Sequence, residues 1–477
     1  MLPVIEFCPG TPKVQQIAEA WARAIEAGEL PAGSRLPPVR ELTAQLGVSK
    51  FTVIEALDRL RARNLITSSQ GRGHFVASRH APRVPGGDTD WLPQDLASVL
   101  RRSLLADDNS LRPGSGHLPP DWLEPGNLRQ ALRTVARSTR LRIGGYGTPA
   151  GYLALRQTLQ TRLLGQGIAA PLEQIVTTSN TVQALDMLLR VMLRPGDCVV
   201  LDSPCYFNFH ANLALHGARI VTVQRTAEGL DLARFEQLLA QHRPRLYLTT
   251  SVLHNPTGHS FTAGQAFALL QLARQYDCHV IEDDLYADLH PHAPARLAPA
   301  RLAALAGLEQ VTYLSGFSKT LSANARVSYV VAAPQLAASL THMKLMSGGI
   351  TSELLEQVVD QLLTDGSYDK HRKRLQLRLQ EAAGRVEQRL RALGCEPLQG
   401  YAGGLFIWVR LPPGCDAQAL ARAGLARDVL LGPGSLFGPE PGLLQCMRFN
   451  VACSDDPQLW SELAVLLDSF ADPASAL

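Results

Sequence analysis

The sequence predicts an α/β protein in which a small helical domain precedes a large domain built on a mostly parallel sheet. At 477 residues the chain is too long for one hydrophobic core. From about residue 113, short β-branched runs alternate with amphipathic stretches, which is typical of parallel strands with helices on both faces. The net charge of +3 lies within residues 1–80, because residues 81–477 have equal numbers of basic and acidic side chains.

The composition excludes several classes of protein. With 46% apolar and 19% charged residues the chain is neither disordered nor fibrous. It has no run of about 18 apolar residues, and its N-terminus lacks the basic and apolar regions of a signal peptide. The eight cysteines form no Cys-x-x-Cys or Cys/His pair. We therefore expect a cytoplasmic protein with reduced thiols, no metal site and no membrane contact.

The N-terminal domain is expected to contain three helices and a two-stranded wing. Apolar periodicity predicts helices over residues 12–28, 39–47 and 50–63, with Ser49 as the N-cap of the third. The runs LITSS and HFVAS then predict two strands around the tip QGRG. This layout is that of a winged helix-turn-helix domain, which we assign to residues 1–80.

The third helix is the candidate DNA-reading element. Its first turn would present Ser49, Lys50, Phe51 and Thr52 to a major groove. Three arginines are candidate phosphate contacts, namely Arg35, Arg40 and Arg72. Periodicity alone fits equally well a small surface domain with solvated arginines.

The order of motifs favours DNA binding. The segment AGELPAGSRLPPVRELTAQLGVSKFTVIEALDRLRARNLI, followed by GRGHFVA, resembles the DNA-binding domain of the GntR family of bacterial regulators. The resemblance spans roughly residues 11–77 and implies a double-stranded DNA operator as partner. Residues 81–112 are rich in Pro, Gly and charge and predict a flexible linker with a short helix at 96–105, rather than a surface loop of one domain.

In the large domain, chemically distinctive residues follow the strands. Asn255, Asp283 and Lys319 each lie at or after the end of a β-branched run, and ligands bind at the carboxyl ends of parallel strands. The chain contains six lysines and forty arginines, so a lysine in SGFSKTLSANAR is conspicuous. Of these two residue types, only lysine can lose its proton and react as an amine.

The large domain, which we assign to residues 113–477, resembles the fold-type I pyridoxal-phosphate (PLP) aminotransferases over nearly all of residues 113–470. HNPTG, EDDLY, SGFSK and RFNVA appear in the order of that family. The resemblance implies PLP as cofactor and a smaller C-terminal α+β subdomain. It implies that Lys319 holds PLP as an aldimine and that Asp283 pairs with the ring nitrogen. It also implies that Asn255 and Tyr286 donate hydrogen bonds to O3′ of the cofactor and that Tyr206 stacks on the ring. Arg448 would bind a substrate carboxylate.

The resemblance also implies a phosphate-binding site. Its residues are Ser179, Asn180, Thr181, Ser318 and Arg326, with Tyr146 reaching the phosphate of a partner subunit. Three positions depart from the family pattern. Gly316 stands in place of a hydroxyl residue, Asn180 in place of a glycine, and Ser328 also in place of a glycine.

Together the two domains resemble the MocR subgroup of GntR-family regulators. The resemblance implies a homodimeric, PLP-dependent DNA-binding transcriptional regulator that senses an amine or amino-acid effector by aldimine exchange. Two alternatives remain open, an active aminotransferase (transaminase) and a sensor of PLP itself. The N-terminal domain favours a regulator, whereas the apparently complete set of catalytic residues keeps the enzyme in consideration.

Overall fold

The chain divides into two compact units, Met1–Thr89 and Asp90–Leu477. The computed structural model describes residues 5, 7–8, 10–26, 30–31, 33–62, 65–69, 73–76, 110–123, 125–139, 141, 144–291 and 299–471. The predicted linker at 81–112 and its helix at 96–105 lie outside the described residues, except for positions 110–112. The predicted domain boundaries therefore stay a prediction.

The N-terminal unit has the three helices and the wing expected from the sequence. The helices are α1 (Lys13–Glu26), α2 (Val39–Leu46) and α3 (Lys50–Ala62), and the wing strands are β1 (Ile66–Ser69) and β2 (Gly73–Val76). The strands pair antiparallel, with Ile66 opposite Val76. The predicted winged helix-turn-helix layout is confirmed.

The α3 helix is held by packing and by its first turn. Val53, Leu57 and Leu60 are buried against Ile17 and Trp21 of α1. These contacts leave the opposite face of α3 in solvent.

The first turn of α3 is capped by a side chain. The Thr52 backbone N–H donates to the Ser49 hydroxyl over 3.1 Å, as predicted for an N-cap. The α2 helix ends at Gly47, whose φ of 61° is left-handed and suits glycine. This turn sets the direction in which α3 begins.

The large unit contains an eight-stranded sheet whose order is β3-β10-β9-β8-β7-β4-β5-β6. The five strands from β9 to β5 in that order run parallel, whereas β10 is antiparallel to both of its neighbours and β6 is antiparallel to β5. The strands are β3 (Ile175–Thr178), β4 (Cys198–Ser203), β5 (Arg219–Thr226), β6 (Gly229–Leu230), β7 (Leu246–Thr249), β8 (His279–Asp283), β9 (Val311–Gly316) and β10 (Ser328–Val331). The predicted mostly parallel sheet is confirmed.

A smaller antiparallel sheet, ordered β11-β12-β14-β13, follows along the chain. Its strands are β11 (Glu396–Pro397), β12 (Phe406–Arg410), β13 (Gly432–Pro433) and β14 (Cys446–Asn450). It packs with the C-terminal helices around one apolar cluster, which confirms the predicted α+β subdomain.

Helices cover the large sheet and complete the small subdomain. They are α4 (Pro125–Ala136), α5 (Leu153–Gly165), α6 (Thr181–Met192), α7 (Phe207–Leu215), α8 (Leu232–His242), α9 (Ala263–Gln275), α10 (Leu302–Ala306), α11 (Pro334–Met346), α12 (Glu353–Thr364), α13 (Ser367–Ala392), α14 (Ala417–Leu425), α15 (Val451–Ser454) and α16 (Pro457–Ala471). Among the described residues, no helix is both long and apolar enough to span a membrane.

Candidate functional site

The carboxyl ends of β7, β8 and β9 bring the three predicted residues to one edge of the sheet. Asp283 is the last residue of β8, Asn255 follows β7, and Lys319 follows β9. All three are buried, with Lys319 8% exposed. The parallel register places these strand ends side by side, so the residues share one region although they are distant in sequence.

Lys319 is a buried amine without a carboxylate in hydrogen-bond contact among the described residues. Its Nζ donates to the Gly116 carbonyl oxygen over 2.7 Å. Burial and, to a smaller extent, the Arg448 guanidinium lower the pKa of Lys319 to about 8, although the Asp283 carboxylate acts in the other direction. About a tenth of this amine is therefore neutral at pH 7, far more than for an ordinary lysine, which suits a nucleophilic lysine.

Asp283 is a buried carboxylate with few donors. Among the described residues its side chain accepts one hydrogen bond, from the Leu285 backbone N–H over 3.2 Å. Burial and the neighbouring Asp284 carboxylate raise the pKa of Asp283 to about 7, although the Leu285 N–H and Lys319 act in the other direction. A cationic partner with a donor N–H would complete this site.

Arg448 and Asn255 form a hydrogen-bonded pair that extends to Tyr286. Arg448 Nη1 donates to Asn255 Oδ1 over 2.7 Å, and Asn255 Nδ2 donates to the Tyr286 hydroxyl over 3.3 Å. A further Arg448 nitrogen, Nη2, donates to the Gly114 carbonyl oxygen over 2.6 Å. Three of the predicted site residues, Arg448, Asn255 and Tyr286, are therefore connected by hydrogen bonds.

The Arg448 guanidinium lies between two aromatic rings. Its Cζ is 4.3 Å from the ring centre of Phe406 and 4.7 Å from that of Phe437. Burial lowers the pKa of Arg448 to about 10, so it stays a cation at neutral pH. Its Nε has no hydrogen-bond partner among the described residues, which leaves a donor for an anionic ligand.

Tyr206 immediately precedes α7 and is fixed by its neighbour Asn208. Asn208 Nδ2 donates to the Tyr206 hydroxyl over 2.8 Å. Burial and the Asp283 charge raise the pKa of Tyr206 to about 12. Tyr206 follows β4, the strand beside β7 in the sheet, so it lies at the same edge of the sheet as Asn255 and Asp283.

The residues predicted to bind a phosphate lie in two connections at the edge of the sheet, one after β3 and one after β9. Ser179, Asn180 and Thr181 connect β3 to α6, and Ser318 and Arg326 flank the β9-to-β10 connection. Arg326 is exposed and has a left-handed φ of 49°.

The residues at the start of α6 already have partners of their own. Asn180 is the N-cap of α6, its Oδ1 accepting from the Gln183 backbone N–H over 2.9 Å. The Ser179 N–H donates to Gln183 Oε1 over 2.8 Å. Because Asn180 caps the helix, its departure from glycine has a structural explanation.

The other two departures from the family pattern explain each other. Gly316 and Ser328 are directly opposite in the β9–β10 ladder. A Cβ on Gly316 would lie 2.2 Å from Ser328 Oγ, so the serine side chain occupies the space that the glycine leaves. The hydroxyl missing from position 316 is thus replaced by one that projects from the adjacent strand.

Sequence analysis missed the segment that contacts both site cations. The Gly114 and Gly116 carbonyls accept from Arg448 and Lys319, and Asn450 Nδ2 donates to the His117 carbonyl over 2.9 Å. Lys319 and burial lower the pKa of His117 to about 3, so the imidazole stays neutral. GSGHLPP matches no motif that we recognised, and only the fold brings it to the site.

Tyr146 lies on the surface of the large unit and is not buried with the other site residues. It is 91% exposed, whereas the other predicted aromatic contacts, Tyr206 and Tyr286, are half-buried and buried. Exposure of a large aromatic side chain is consistent with a role at a surface that another subunit covers.

The candidate DNA contacts lie on the N-terminal unit. Arg35, Arg40, Ser49 and Lys50 are exposed, and Thr52 is half-buried. Thr52 Oγ1 lies 2.8 Å from Ser49 Oγ, so these two hydroxyls are already paired. Arg72 lies outside the described residues.

The Gly316–Ser328 pair generates a stability prediction. Gly316→Ser alone should lower stability by about 1 to 3 kcal/mol because its side chain meets Ser328, and Ser328→Gly alone by about 1 kcal/mol. The double variant should lose less than the sum by at least about 0.5 kcal/mol. Unfolding temperatures of the four cofactor-free proteins measure this coupling, and strictly additive losses would contradict it.

The charges around Lys319 generate a pH prediction. Carbamylation of Lys319 by cyanate in cofactor-free protein should have a midpoint near the pKa of about 8. Arg448→Gln should move the midpoint to higher pH because a neighbouring cation is removed, and Asp283→Asn should move it to lower pH. Peptide mass spectrometry measures the modification. Shifts of the same sign in both variants would contradict the assigned interactions.

Comparison with known proteins agrees with this architecture. The family model for aminotransferase class I and II matches residues 109–464, and the model for bacterial regulatory proteins of the gntR family matches residues 13–76. The chain is 29% identical to the uncharacterized HTH-type transcriptional regulator YdcR of Escherichia coli over 452 residues, which cover 92% of this chain and 95% of that protein.

Two further relatives extend the comparison. The probable rhizopine catabolism regulatory protein MocR of Rhizobium meliloti is 26% identical over 385 residues, 78% of this chain and 76% of that protein. LysN, an α-aminoadipate aminotransferase from Thermus thermophilus solved with N-(5'-phosphopyridoxyl)-L-leucine, is 26% identical. That structure has a TM-score of 0.69 and covers 80% of this chain and 98% of its own.

The two family matches account for both units of the chain, and the relatives confirm the resemblance to the MocR subgroup. The chain therefore belongs to the aminotransferase class I and II family and carries at its N-terminus a DNA-binding domain of the gntR family.

Proposed function

We propose that the protein is a PLP-dependent transcriptional regulator whose large domain binds an amine or amino-acid effector and thereby changes DNA binding. The observation that carries the proposal is the buried Lys319–Asp283–Arg448 site in a chain that also has a winged helix-turn-helix unit. We further propose residues 1–80 as the DNA-binding domain, 81–112 as the tether and 113–477 as the effector domain.

The donor set of the site fits PLP. Asp283 lacks a cationic partner with a donor N–H, and a protonated pyridine nitrogen supplies one. Lys319 has an amine with a lowered pKa. Asn255 and Tyr286 supply an amide and a hydroxyl for O3′, and Tyr206 supplies an aromatic face. When bound, PLP supplies an aldehyde that reacts with primary amines and a ring that withdraws electrons.

The phosphate is the second part of the cofactor that the chain must hold. Ser179, Asn180 and Thr181 at the start of α6, together with Ser318 and Arg326, would bind it. The positive end of the α6 dipole and the Arg326 charge both favour an anion there. Ser328 supports the proposal because its hydroxyl lies on the strand between these two groups.

The chain's own residues select an effector that has a carboxylate. Arg448 is buried between two rings and keeps an unpartnered Nε, so it can orient a carboxylate while the effector amine lies near Lys319. His117, which stays neutral beside both cations, adds no charge against a cationic amine. A small amino acid combines both groups.

The contacts of the segment 114–117 suggest how the site acts on the tether. The Gly114 and Gly116 carbonyls hold Arg448 and Lys319, and the segment directly follows the proposed tether. A cofactor that engages Lys319 would remove the hydrogen bond from the Lys319 amine to the Gly116 carbonyl, and an effector carboxylate on Arg448 would change the charge beside the Gly114 carbonyl. The segment 114–117 would then have different contacts in the ligand-free and ligand-bound states. Such a difference is what a ligand needs in order to shift the populations of two states.

We propose that the regulator is a homodimer that acts in the cytoplasm on a double-stranded operator. Exposed Tyr146 supports a subunit interface on that side of the large unit. Two copies of α3 would then read two half-sites. All eight cysteines are free, as expected in a reducing compartment.

The DNA-reading assignment predicts distinct effects for two cations. Duplexes selected by the purified protein from a random pool serve as the operator. Lys50→Ala should cost about 1 to 3 kcal/mol and relax the base preference. Arg40→Ala should weaken binding for all sequences and lower the salt slope by about 1. Both variants should keep the PLP absorbance of the parent protein.

The matched control is Lys13→Ala, which removes an exposed lysine of α1 in the same unit. It should leave base preference unchanged. If Lys50→Ala and Lys13→Ala have equal effects on selected duplexes, α3 is not the reading element.

A second candidate function is aminotransferase catalysis. The likeness to LysN and the presence of Lys319, Asp283, Asn255, Tyr286 and Arg448 favour it. We predict that amino donors give at most one slow half-reaction per subunit, which is measured as keto acid released per mole of protein. Repeated turnover on the order of 1 per second or faster would instead assign an enzyme. A third candidate, a sensor of PLP itself, predicts DNA binding that responds to PLP and to no amine.

A further inference from the structure

Two of the six lysines of the chain are buried. One is Lys319, and the other is Lys344 of α11, which is 0% exposed. The remaining four lysines are exposed. Burying an ammonium group is costly unless other groups compensate for the lost water. The position of Lys344 therefore needs an explanation that the contacts of Lys319 do not provide.

Lys344 binds the outer edge of the large sheet. Strand β3 is at the end of the sheet and pairs only with β10. The Thr177 N–H donates to the Ala150 carbonyl oxygen over 3.0 Å, and Lys344 Nζ donates to the Thr177 carbonyl oxygen over 2.5 Å. Ser179 follows Thr177 by two residues, so this contact lies directly before the residues proposed to bind the cofactor phosphate.

A chain of hydroxyl groups connects Lys344 to a buried carboxylate. Thr177 Oγ1 lies 2.9 Å from Thr351 Oγ1, and Thr351 Oγ1 donates to Glu356 Oε1 over 2.6 Å. Glu356 is 0% exposed, and its Oε2 accepts from the Tyr152 backbone N–H over 2.8 Å. The two charges are thus separated by two threonine hydroxyls, with the positive one at β3 and the negative one in the first turn of α12.

Lys344 stays a cation at neutral pH in spite of its burial. Burial lowers the pKa of Lys344 to about 8, although the Glu356 carboxylate acts in the other direction, and Arg156 adds a smaller decrease. Arg156 binds the beginning of β3, where its Nε donates to the Ile175 carbonyl oxygen over 2.9 Å. At pH 7 about nine-tenths of the Lys344 amine is therefore protonated.

The end of α11 also contacts the start of α6. Gln183 Oε1 accepts from the Ser179 N–H over 2.8 Å. A Cβ on Gly349 would lie 3.0 Å from Gln183 Nε2, so the Gln183 amide packs directly on Gly349. The Gly349 N–H in turn donates to the Lys344 carbonyl oxygen over 2.9 Å. Residues 344–349 therefore contact this segment both before and after Ser179.

A bound phosphate needs more positive charge than its predicted contacts supply. A phosphate monoester carries a charge of about −1.5 to −2 at pH 7. Arg326 is the one cation among the predicted contacts, and it is exposed. The Ser179 N–H and the Asn180 side chain are already bonded to Gln183. A buried cation directly beside this segment would supply part of the missing charge.

We propose that Lys344 is a positioning residue for the cofactor phosphate, which fixes the end of β3 and places a buried positive charge behind the phosphate-binding segment. Two residues span at most about 7 Å of extended chain, so the Lys344 charge is near Ser179. A charge about 10 Å from an anion changes its affinity on the order of tenfold at an effective dielectric constant of about 20. The Glu356 charge acts in the opposite direction.

The inference rests on the proposed function, because it takes the start of α6 as the phosphate site. Pyridoxal has the ring and aldehyde of PLP without the phosphate, so comparison of the two isolates the effect of the phosphate. Dissociation constants are measured by absorbance at pH 6.5, where Lys344 is charged. The cofactor-free proteins are the parent, Lys344→Met, Glu356→Gln and the double variant. Lys370→Met removes an exposed lysine of the same unit and is the matched control.

The expected shifts have opposite signs. Lys344→Met should weaken PLP binding about tenfold, raise the inhibition constant of inorganic phosphate by the same factor, and change pyridoxal binding less than about twofold. Glu356→Gln should strengthen PLP binding about two- to fivefold, because a negative charge is removed while the amide can still bond to Thr351 and to the Tyr152 N–H. The double variant should lie between the two, and Lys370→Met should match the parent.

Three results would overturn the inference. They are equal losses of PLP and pyridoxal binding in Lys344→Met, which would give Lys344 a purely structural role, unchanged PLP binding in that variant, and unchanged or weaker PLP binding in Glu356→Gln. If Lys344→Met does not fold, the direction of the shift in Glu356→Gln decides. A parent protein that binds PLP no more tightly than pyridoxal would instead refute the proposed phosphate site, and one that binds neither would refute the cofactor itself.

Discussion

The burial of two cations, Lys319 and Arg448, in one small site is the constraint on which the rest of the structure depends. Each would be costly to bury alone. The chain compensates with the Gly114 and Gly116 carbonyls, the Asn255 amide, two aromatic faces and one carboxylate, Asp283. The site is nevertheless short of anions, and this deficit supports the proposed effector that has a carboxylate.

The Gly114 and Gly116 carbonyls also connect the site to the chain segment that follows the proposed tether. The carbonyls that hold Lys319 and Arg448 belong to the first described residues after the proposed tether. A ligand that takes over these cations changes what the segment 114–117 can contact. The proposed sensing needs no distant relay, because the segment 114–117 already forms one wall of the site.

Much of the fold could be predicted from the sequence, because periodicity, capping and strand ends are local properties. The three N-terminal helices and the wing follow from the spacing of apolar residues such as Leu57 and from the cap at Ser49. Pairings between distant segments could not be predicted. The Gly316–Ser328 exchange depends on the register of β9 against β10, and the contacts of Gly114 and Gly116 depend on the path of a segment without a motif. Likewise, Asn180 is distinguishable as a helix cap only when α6 is seen.

The central claim is that an amine entering beside Lys319 changes DNA binding. The most direct measurement is the affinity of PLP-supplemented protein for its selected duplex across a panel of amines and amino acids, for the parent and for Lys319→Ala. The account predicts that at least one compound shifts the affinity of the parent by about 5- to 150-fold. The variant should show neither the absorbance of lysine-bound PLP nor any response. An equal response in Lys319→Ala, or no response of the parent to any amine, would contradict it.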